Sequence, residues 1–178
     1  KPQLRDANIA SLNHGFDFGA NTHASASIFR IETQKPVPGR YLDINGNKAT
    51  AYGLIAASEQ AGLELFLGSY PITPATDILH ELAKHKALGV KTVQAEDEIA
   101  GICTAIGASF AGDLAVTTTS GPGLALKSEA LGLAVMAELP LVLVDVQRGG
   151  PSTGLPTKSE QTDLMQALYG RNGEAPLP

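Results

Sequence analysis

Four short apolar segments alternate with helical patterns from Ala49 onward, and this alternation constrains the fold more than any other feature of the sequence. Strands that alternate with helices favour crossover connections and a parallel sheet. The fourth segment, 139–146, is almost continuously apolar, which is typical of a strand buried on both faces. We therefore predict a three-layer α/β domain with a mostly parallel sheet and helices on both faces. The expected strands are 63–67, 90–94, 114–118 and 139–146, and the expected helices are 49–61, 74–88, 96–111, 124–138 and 159–169.

The residues before this pattern look different. Residues 1–24 are rich in Asn, Asp, Gly and His without a clear period, and a candidate short strand follows at 25–31. We predict a linker or arm over 1–48, the main domain over 49–174 and a tail over 175–178. The chain begins with Lys1 and ends without a closing element, so we expect it to be a piece of a longer protein.

Composition excludes several kinds of partner. The chain has 178 residues and a formal net charge of −5, so it lacks the basic footprint of a nucleic-acid-binding protein. No apolar run is long enough to span a membrane. Cys103, the single cysteine, falls in an apolar helical pattern, so we predict that it is buried and that the chain is cytoplasmic. The histidines are not spaced as a metal-ligand set: His14, His23, His80 and His85.

Polar residues and glycines concentrate in the loops that follow the predicted strands. In a parallel sheet these loops meet at one edge, where open α/β sheets bind ligands. Thr73 lies between two prolines and could cap the next helix, with Pro74 at its first position. Glu96 follows the second strand, where a partly buried carboxyl could exchange a proton with a heterocycle nitrogen. A rigid turn and a helix-end charge explain the same two patterns.

The third and fourth loops offer an anion-binding turn and a cation. The glycines of 120–123 would let the backbone approach a ligand, and free N–H groups at the next helix could receive an anion. A tight structural turn explains this segment equally well. Arg148 begins a long glycine-containing loop and could hold a carboxylate with two hydrogen bonds. The alternative is a structural ion pair with an acid such as Asp145.

Taken together and in this order, the loops resemble those of one family. The chain resembles the pyrimidine-binding domain of thiamine-diphosphate-dependent 2-oxoacid:ferredoxin oxidoreductases, nearest the alpha subunit of the 2-oxoglutarate type, over about residues 49–174. Gly101 stands where that family more often has alanine, and we expect it to loosen the helix after Glu96 slightly. Four segments carry the resemblance: Tyr70-Pro-Ile-Thr-Pro74, Gln94-Ala-Glu-Asp-Glu-Ile99, Thr117-Thr-Thr-Ser-Gly-Pro-Gly-Leu124 and Asp145-Val-Gln-Arg-Gly-Gly-Pro-Ser-Thr-Gly-Leu-Pro-Thr157.

The resemblance implies a reaction and assigns residues to it. The reaction would be coenzyme A-dependent oxidative decarboxylation of a 2-oxoacid, with electrons passing to ferredoxin or a similar acceptor. Glu96 would bond the aminopyrimidine ring of thiamine diphosphate, while Thr73 and Arg148 would contact the 2-oxoacid, which makes these three the candidate catalytic residues. The other implied cofactor contacts are Pro71, Ile72, Ser120 and Gly121.

The resemblance also implies a partner. By the resemblance, a beta subunit would hold the diphosphate, Mg²⁺ and a [4Fe-4S] cluster. This chain itself has one cysteine and no Gly-Asp-Gly motif. We therefore predict that the chain is inactive alone. The competing hypothesis is a non-catalytic domain of a multisubunit complex, which would bind small anions at the 120–123 turn or act as a scaffold.

Overall fold

The computed structural model describes residues 1–23, 27, 29–171 and 173. The chain forms two compact units, Lys1–Tyr41 and Leu42–Pro178. The first unit contains α1, a helix of 20 residues at Pro2–Asn21 with no buried residue. Its last turn is closed by the Thr22 hydroxyl, which donates to the Phe18 carbonyl at 2.7 Å.

Helix α1 replaces the irregular segment predicted for residues 1–24. Ile9, Leu12 and Phe16 are spaced by three and four residues, and this helical spacing was the signal that the prediction missed. All three side chains are exposed. Residues 25, 26 and 28 of the candidate strand lie outside the described residues, and residues 29–31 form no strand.

The second unit is an α/β domain with a four-stranded parallel sheet in the order β2-β1-β3-β4. The predicted parallel sheet with helices on both faces is therefore confirmed. The strands are β1 (Leu65–Ser69), β2 (Lys91–Gln94), β3 (Leu114–Thr119) and β4 (Val142–Asp145). The helices are α2 (Gly46–Ala61), α3 (Thr76–Leu82), a 3₁₀ turn (Lys86–Leu88), α4 (Glu98–Phe110), α5 (Gly121–Met136) and α6 (Leu164–Tyr169).

Strand alternation divides the core between the two faces of the sheet. Leu65 and Leu67 of β1 point to one face, where α2 and α3 cover them, whereas Phe66 points to the opposite face, toward α4. The larger apolar cluster lies under α2 and α3, and a smaller one built from alanines lies under α4. Small residues on α4 allow this helix to lie close to the sheet.

Two glycines bring α4 against the end of β1. A Cβ atom on Gly68 would lie 2.3 Å from Thr104 Oγ1 and 2.6 Å from the Gly101 carbonyl oxygen. A Cβ atom on Gly101 would lie 3.2 Å from the Ser69 Cα atom. We expected Gly101 to loosen the helix. The structure shows instead that its lack of a side chain allows α4 to lie close to β1, the strand that leads into the Thr73 loop.

Several element boundaries differ from the predicted ones. The Asn45 side chain accepts a hydrogen bond from the Lys48 N–H at 2.9 Å and caps α2, so this helix begins at Gly46, three residues earlier than predicted. Strand β4 is shorter than predicted and lies at an edge of the sheet, with Val142 38% exposed, so the prediction of burial on both faces was wrong. Helix α6 begins at Leu164, five residues later than expected.

Cys103 is exposed, which contradicts the prediction that it is buried. Helix α4 turns Gly101, Ile102 and Ala105 toward the sheet, so Cys103 falls on the opposite side of the helix. That outer side also exposes Ile99 and Phe110. Within the described part of the chain, no helix is long and apolar enough to cross a membrane.

Candidate functional site

The loops after β1 and β3 diverge at the centre of the sheet. The chain leaves β1 toward β2 on one side, and it leaves the neighbouring β3 toward β4 on the other side. This divergence opens a crevice at the carboxyl ends of the strands, which is the usual ligand position in open α/β sheets. Thr73 follows β1 and Ser120 follows β3, while Glu96 and Arg148 follow the two flanking strands.

Backbone hydrogen bonds fix where these loops begin. The Ala95 N–H donates to the Ser69 carbonyl at 2.9 Å, and the Val146 N–H donates to the Thr119 carbonyl at 2.9 Å. The buried Ser69 hydroxyl also lies 2.8 Å from the Thr118 carbonyl oxygen, which joins the ends of β1 and β3. The residue before Glu96 is therefore tied to the end of β1.

Glu96 stands just before α4 and is not part of the cap of that helix. Asp97 performs the capping, since its Oδ1 accepts the Ala100 N–H at 2.7 Å, and Glu98 supplies an acidic side chain in the first turn. Glu96 is exposed in this chain, contrary to the expected partial burial, and makes no hydrogen bond or ion pair among the described residues. A helix-end role therefore accounts for Asp97 and Glu98 better than for Glu96.

Thr73 does not cap α3. The helix begins at Thr76, so the prediction of a Thr73 cap with Pro74 at the first helical position was wrong. The segment is held on both sides, because the Ile72 carbonyl accepts the Thr76 N–H at 3.0 Å and the Pro74 carbonyl accepts Asn47 Nδ2 at 2.8 Å. Thr73 is exposed and, among the described residues, its hydroxyl makes no hydrogen bond.

Arg148 is buried, with 8% of its surface exposed. Its Nη1 donates to the Thr73 carbonyl at 2.9 Å, and its Nη2 donates to the Thr153 carbonyl. Within the described residues it forms no ion pair with Asp145, which was the structural alternative for this arginine, and its buried Nε has no partner. The structure thus brings Arg148 and the Thr73 loop together.

The start of α5 is already occupied by a side chain of the domain. A Cβ atom on Gly121 would lie 2.7 Å from Asp163 Oδ2, so this carboxylate rests on the first residue of the helix. Ser120 precedes the helix, but its hydroxyl does not cap it and is buried without a partner among the residues that the structure describes. The anion site of the competing hypothesis therefore faces a carboxylate, which disfavours it. Pro71 and Ile72 are half-buried beside the crevice.

A buried lysine, which was not among the site residues predicted from the sequence, lies beneath this edge of the sheet. Lys127 of α5 is 0% exposed, and its Nζ donates to Thr117 Oγ1 at 2.6 Å. Burial lowers the pKa of Lys127 to about 8, and the charge of Glu98 opposes this shift. The spacing was an available signal, since position 127 shares its helix face with the buried Gly123 and Ala130.

A second missed feature is Asp145 at the end of β4. Both of its carboxyl oxygens are buried without a hydrogen-bond partner among the described residues. Burial, and then the nearby carboxyl of Asp163, raise the pKa of Asp145 to about 7. An aspartate that ends an apolar strand was the available signal.

Two clefts border the loop that carries Arg148. One, of about 760 Å³, lies between the start of α5 and residues 150–153 and reaches Asp163. The other, of about 710 Å³, lies between the start of α2 and the end of β4 and includes Asp145. Neither cleft reaches Glu96.

The fold and the ligand edge define a cofactor-binding α/β domain, and comparison with known proteins identifies its family. The family described as "Pyruvate flavodoxin/ferredoxin oxidoreductase, thiamine diP-bdg" matches residues 57–177. The chain belongs to this family, which confirms the resemblance noted in the sequence. Its domain is thus a thiamine-diphosphate-binding domain.

Individual relatives are more specific. The chain is 60% identical over 177 residues to the 2-oxoglutarate oxidoreductase subunit KorA of Mycobacterium tuberculosis. The match covers 99% of this chain and 27% of that subunit. It is 47% identical over 135 residues to the 2-oxoglutarate synthase subunit KorA of Archaeoglobus fulgidus, covering 75% of this chain and 38% of the relative. The chain therefore spans less than half the length of these relatives.

A solved structure resembles the domain. It is a 2-oxoglutarate:ferredoxin oxidoreductase from Magnetococcus marinus, with 2-oxoglutarate, coenzyme A and succinyl-CoA bound. The TM-score is 0.67 at 54% sequence identity, and the match covers 75% of this chain and 23% of that chain.

The residues at the carboxyl edge of the sheet fit the pyrimidine half of thiamine diphosphate, the cofactor of the family. A carboxyl group can exchange a proton with a pyrimidine ring nitrogen, and Glu96 is an exposed carboxylate without a partner among the described residues. Ser120 Oγ, which is buried and unpartnered, is a second unsatisfied polar group at the same edge. Across the described ranges, no three His, Cys, Asp or Glu side chains are grouped to hold a metal ion.

Proposed function

We propose that this chain forms the pyrimidine side of a thiamine-diphosphate site in a 2-oxoacid:ferredoxin oxidoreductase, with 2-oxoglutarate as the substrate. The observation that carries the proposal is Glu96, a carboxylate that is unpaired within the described part of the chain and lies at the ligand edge of a thiamine-diphosphate-binding domain. The names of both KorA relatives support the choice of 2-oxoglutarate.

Each candidate residue has a separate task in this proposal. Glu96 holds and exchanges a proton with a pyrimidine nitrogen, because its carboxylate is not used by the helix behind it. Thr73 offers its unbonded hydroxyl to the substrate. Arg148 fixes the Thr73 segment and directs its remaining N–H groups toward the crevice, since two of its five donors are already used. Pro71, Ile72, Ser120 and Gly121 form the wall for the ring.

Thiamine diphosphate, when bound, supplies the carbanion and electron-sink chemistry that decarboxylation of a 2-oxoacid requires. The exposure of Glu96 supports a site that is completed by a partner beta subunit. That partner would hold the diphosphate, Mg²⁺ and the [4Fe-4S] cluster, and coenzyme A and ferredoxin would serve as acyl and electron acceptors. We expect the complex to act in the cytoplasm and this chain alone to be inactive.

The test is 2-oxoacid-dependent viologen reduction by the full-length subunit assembled with its beta subunit, thiamine diphosphate, Mg²⁺ and coenzyme A. We expect reduction with 2-oxoglutarate and much less with pyruvate or 2-oxoisovalerate. Glu96→Gln should abolish reduction while leaving folding and assembly intact, because glutamine cannot exchange the proton. Glu59→Gln, at an exposed position of α2, is the matched control and should keep full activity. An active Glu96→Gln complex would overturn the proposal.

A further inference from the structure

We propose that Asp145 and Asp163 are positioning residues that share one proton and thereby close the base of the loop that carries Arg148. This inference rests on the proposed function only in that Arg148 serves the substrate side of the site. The carboxyl pair itself is a feature of the domain and can be tested without any reaction.

The two aspartates stand at the two ends of one ordered loop. Asp145 is the last residue of β4, and Asp163 directly precedes α6. The intervening segment is folded on itself, because the Gly149 N–H donates to the Lys158 carbonyl at 2.7 Å and the Gly150 N–H donates to Glu160 Oε2 at 2.8 Å. At the base of this loop, burial and then the neighbouring carboxyl of Asp163 raise the pKa of Asp145.

One of the four oxygens of this pair, Asp163 Oδ1, accepts a hydrogen bond from Thr162 Oγ1 at 3.4 Å. Both oxygens of Asp145 and Oδ2 of Asp163 are buried without a partner among the described residues. Two ionised carboxylates are acceptors only, so the pair can form a hydrogen bond only when one group carries a proton. A shared proton satisfies both groups and removes the repulsion between two close negative charges.

The two carboxyls have different surroundings. Asp163 rests on Gly121 at the N-terminus of α5, and the dipole of a 16-residue helix favours a negative charge there. Asp145 has no such neighbour, and its pKa is raised to about 7 by burial and by Asp163. The other carboxyl that borders both clefts is Glu160, which is held by the Gly150 N–H.

The consequence for Arg148 follows from its place in the chain. Arg148 lies three residues after Asp145, inside the closed loop, and it reaches the Thr73 carbonyl from there. When Asp145 loses its proton, repulsion opens the base of the loop and weakens the hold of Arg148 on Thr73. The closed form binds one more proton than the open form between the ordinary pKa of 3.8 and about 7, so closure is strongest in acid and is lost as pH rises through that range.

The test is hydrogen–deuterium exchange of the loop amides, above all Gly149 and Gly150, in the full-length subunit from pH 5 to 8, with intrinsic rates corrected for pH. Loop opening should increase by up to about tenfold per pH unit up to about pH 7 and then level off. Asp145→Asn keeps a hydrogen-bond donor and cannot titrate, so its exchange should be slow and independent of pH. Asp163→Asn should move the pH dependence to lower pH without removing it, because burial still raises the pKa of Asp145. Asp43→Asn, at an exposed position, is the matched control and should behave like the wild type.

A wild-type loop whose corrected exchange does not change with pH would overturn the proposal, as would an Asp145→Asn loop that titrates like the wild type. If Asp145→Asn fails to fold, the pH dependence of amide exchange in Asp163→Asn and in the wild type still tests the proposal. In the assembled enzyme, KM for the 2-oxoacid should rise with pH in the wild type and stay constant in Asp145→Asn. Because exchange needs no activity, failure of the proposed reaction would leave the exchange result intact.

Discussion

The guanidinium of Arg148 donates a hydrogen bond to the carbonyl oxygen of Thr73 at 2.9 Å, across 75 positions of the chain. Arg148 follows β4 and Thr73 follows β1, and β3 lies between these two strands in the sheet. The contact therefore crosses the crevice where the loops after β1 and β3 diverge. This hydrogen bond therefore couples the positions of two residues that are candidates for substrate binding.

Replacing Arg148 by lysine should break the hydrogen bond between this side chain and the Thr73 carbonyl. A lysine presents one compact ammonium group and cannot reproduce the planar fork that bonds two carbonyls at once. We expect Arg148→Lys to lower the free energy of unfolding by about 1.5–3 kcal/mol, the range for a hydrogen bond to a charged group. Urea denaturation of the full-length subunit measures this loss. Arg40→Lys, at an exposed position, should leave the stability unchanged, and an equal loss in both variants would contradict the role of Arg148.

Replacing Lys127 by methionine should stabilise the domain at neutral pH. The side chain is fully buried and its one hydrogen bond, to Thr117, does not compensate for burial of the charge. Because burial lowers the pKa of Lys127 from 10.5 to about 8, the unfolded chain binds more protons between these values. The wild type should therefore gain stability as pH rises from about 8 to 10.5, by about 2–3 kcal/mol.

The measurement for Lys127→Met is urea denaturation at pH 7 and pH 10. The advantage of the variant over the wild type should shrink at the higher pH, where the lysine is already neutral in the folded state. Lys86→Met, at an exposed position, should show no such pH-dependent difference. A variant that is less stable than the wild type at pH 7 would show that the Thr117 hydrogen bond outweighs the cost of the buried charge.

Adding a methyl group at Gly68 should destabilise the domain, whereas the same change at Gly107 should stabilise it. A Cβ atom on Gly68 would lie 2.6 Å from a backbone oxygen of α4, which cannot move without shifting the helix. A Cβ atom on Gly107 meets nothing within 4 Å. We expect Gly68→Ala to cost about 1–3 kcal/mol and Gly107→Ala to gain about 0.5–1 kcal/mol in the free energy of unfolding.

The two alanine variants control for each other, since both add one methyl group to an element that touches α4 or lies in it. Thermal or urea unfolding of the two proteins side by side decides the question. Equal effects of the same sign would mean that the close approach of β1 and α4 does not determine the stability of this layer.

Most elements of the sheet could be predicted because their signals are local. The apolar runs gave the order and type of β1 and β3, and turn residues after them placed the ligand edge. The helix at Pro2–Asn21 was missed because the Asn, Asp, Gly and His residues among its apolar positions obscured the helical spacing of Ile9, Leu12 and Phe16. Helix ends near Thr73 and Asn45 were misplaced because capping depends on which side chain the backbone geometry admits, and spacing does not reveal that.

The candidate site was predictable only in part. Glu96, Thr73, Ser120 and Arg148 could be placed at one edge because the carboxyl ends of parallel strands share it. The burial of Arg148 and the exposure of Glu96 could not be read from the sequence, since both depend on which loops fold over each position. The burial of Lys127, in contrast, had a signal in its helical spacing from Gly123 and Ala130.

The sequence by itself determined the alternation of strands and helices, the parallel sheet and the family, because these depend on the order of apolar segments and loop motifs along the chain. Only the tertiary structure decided that Arg148 holds the Thr73 carbonyl and that Asp145 faces Asp163. It also decided that the Asp163 carboxylate covers the start of α5. These relationships join residues far apart in the chain, and burial then sets whether a charge is stable at each position.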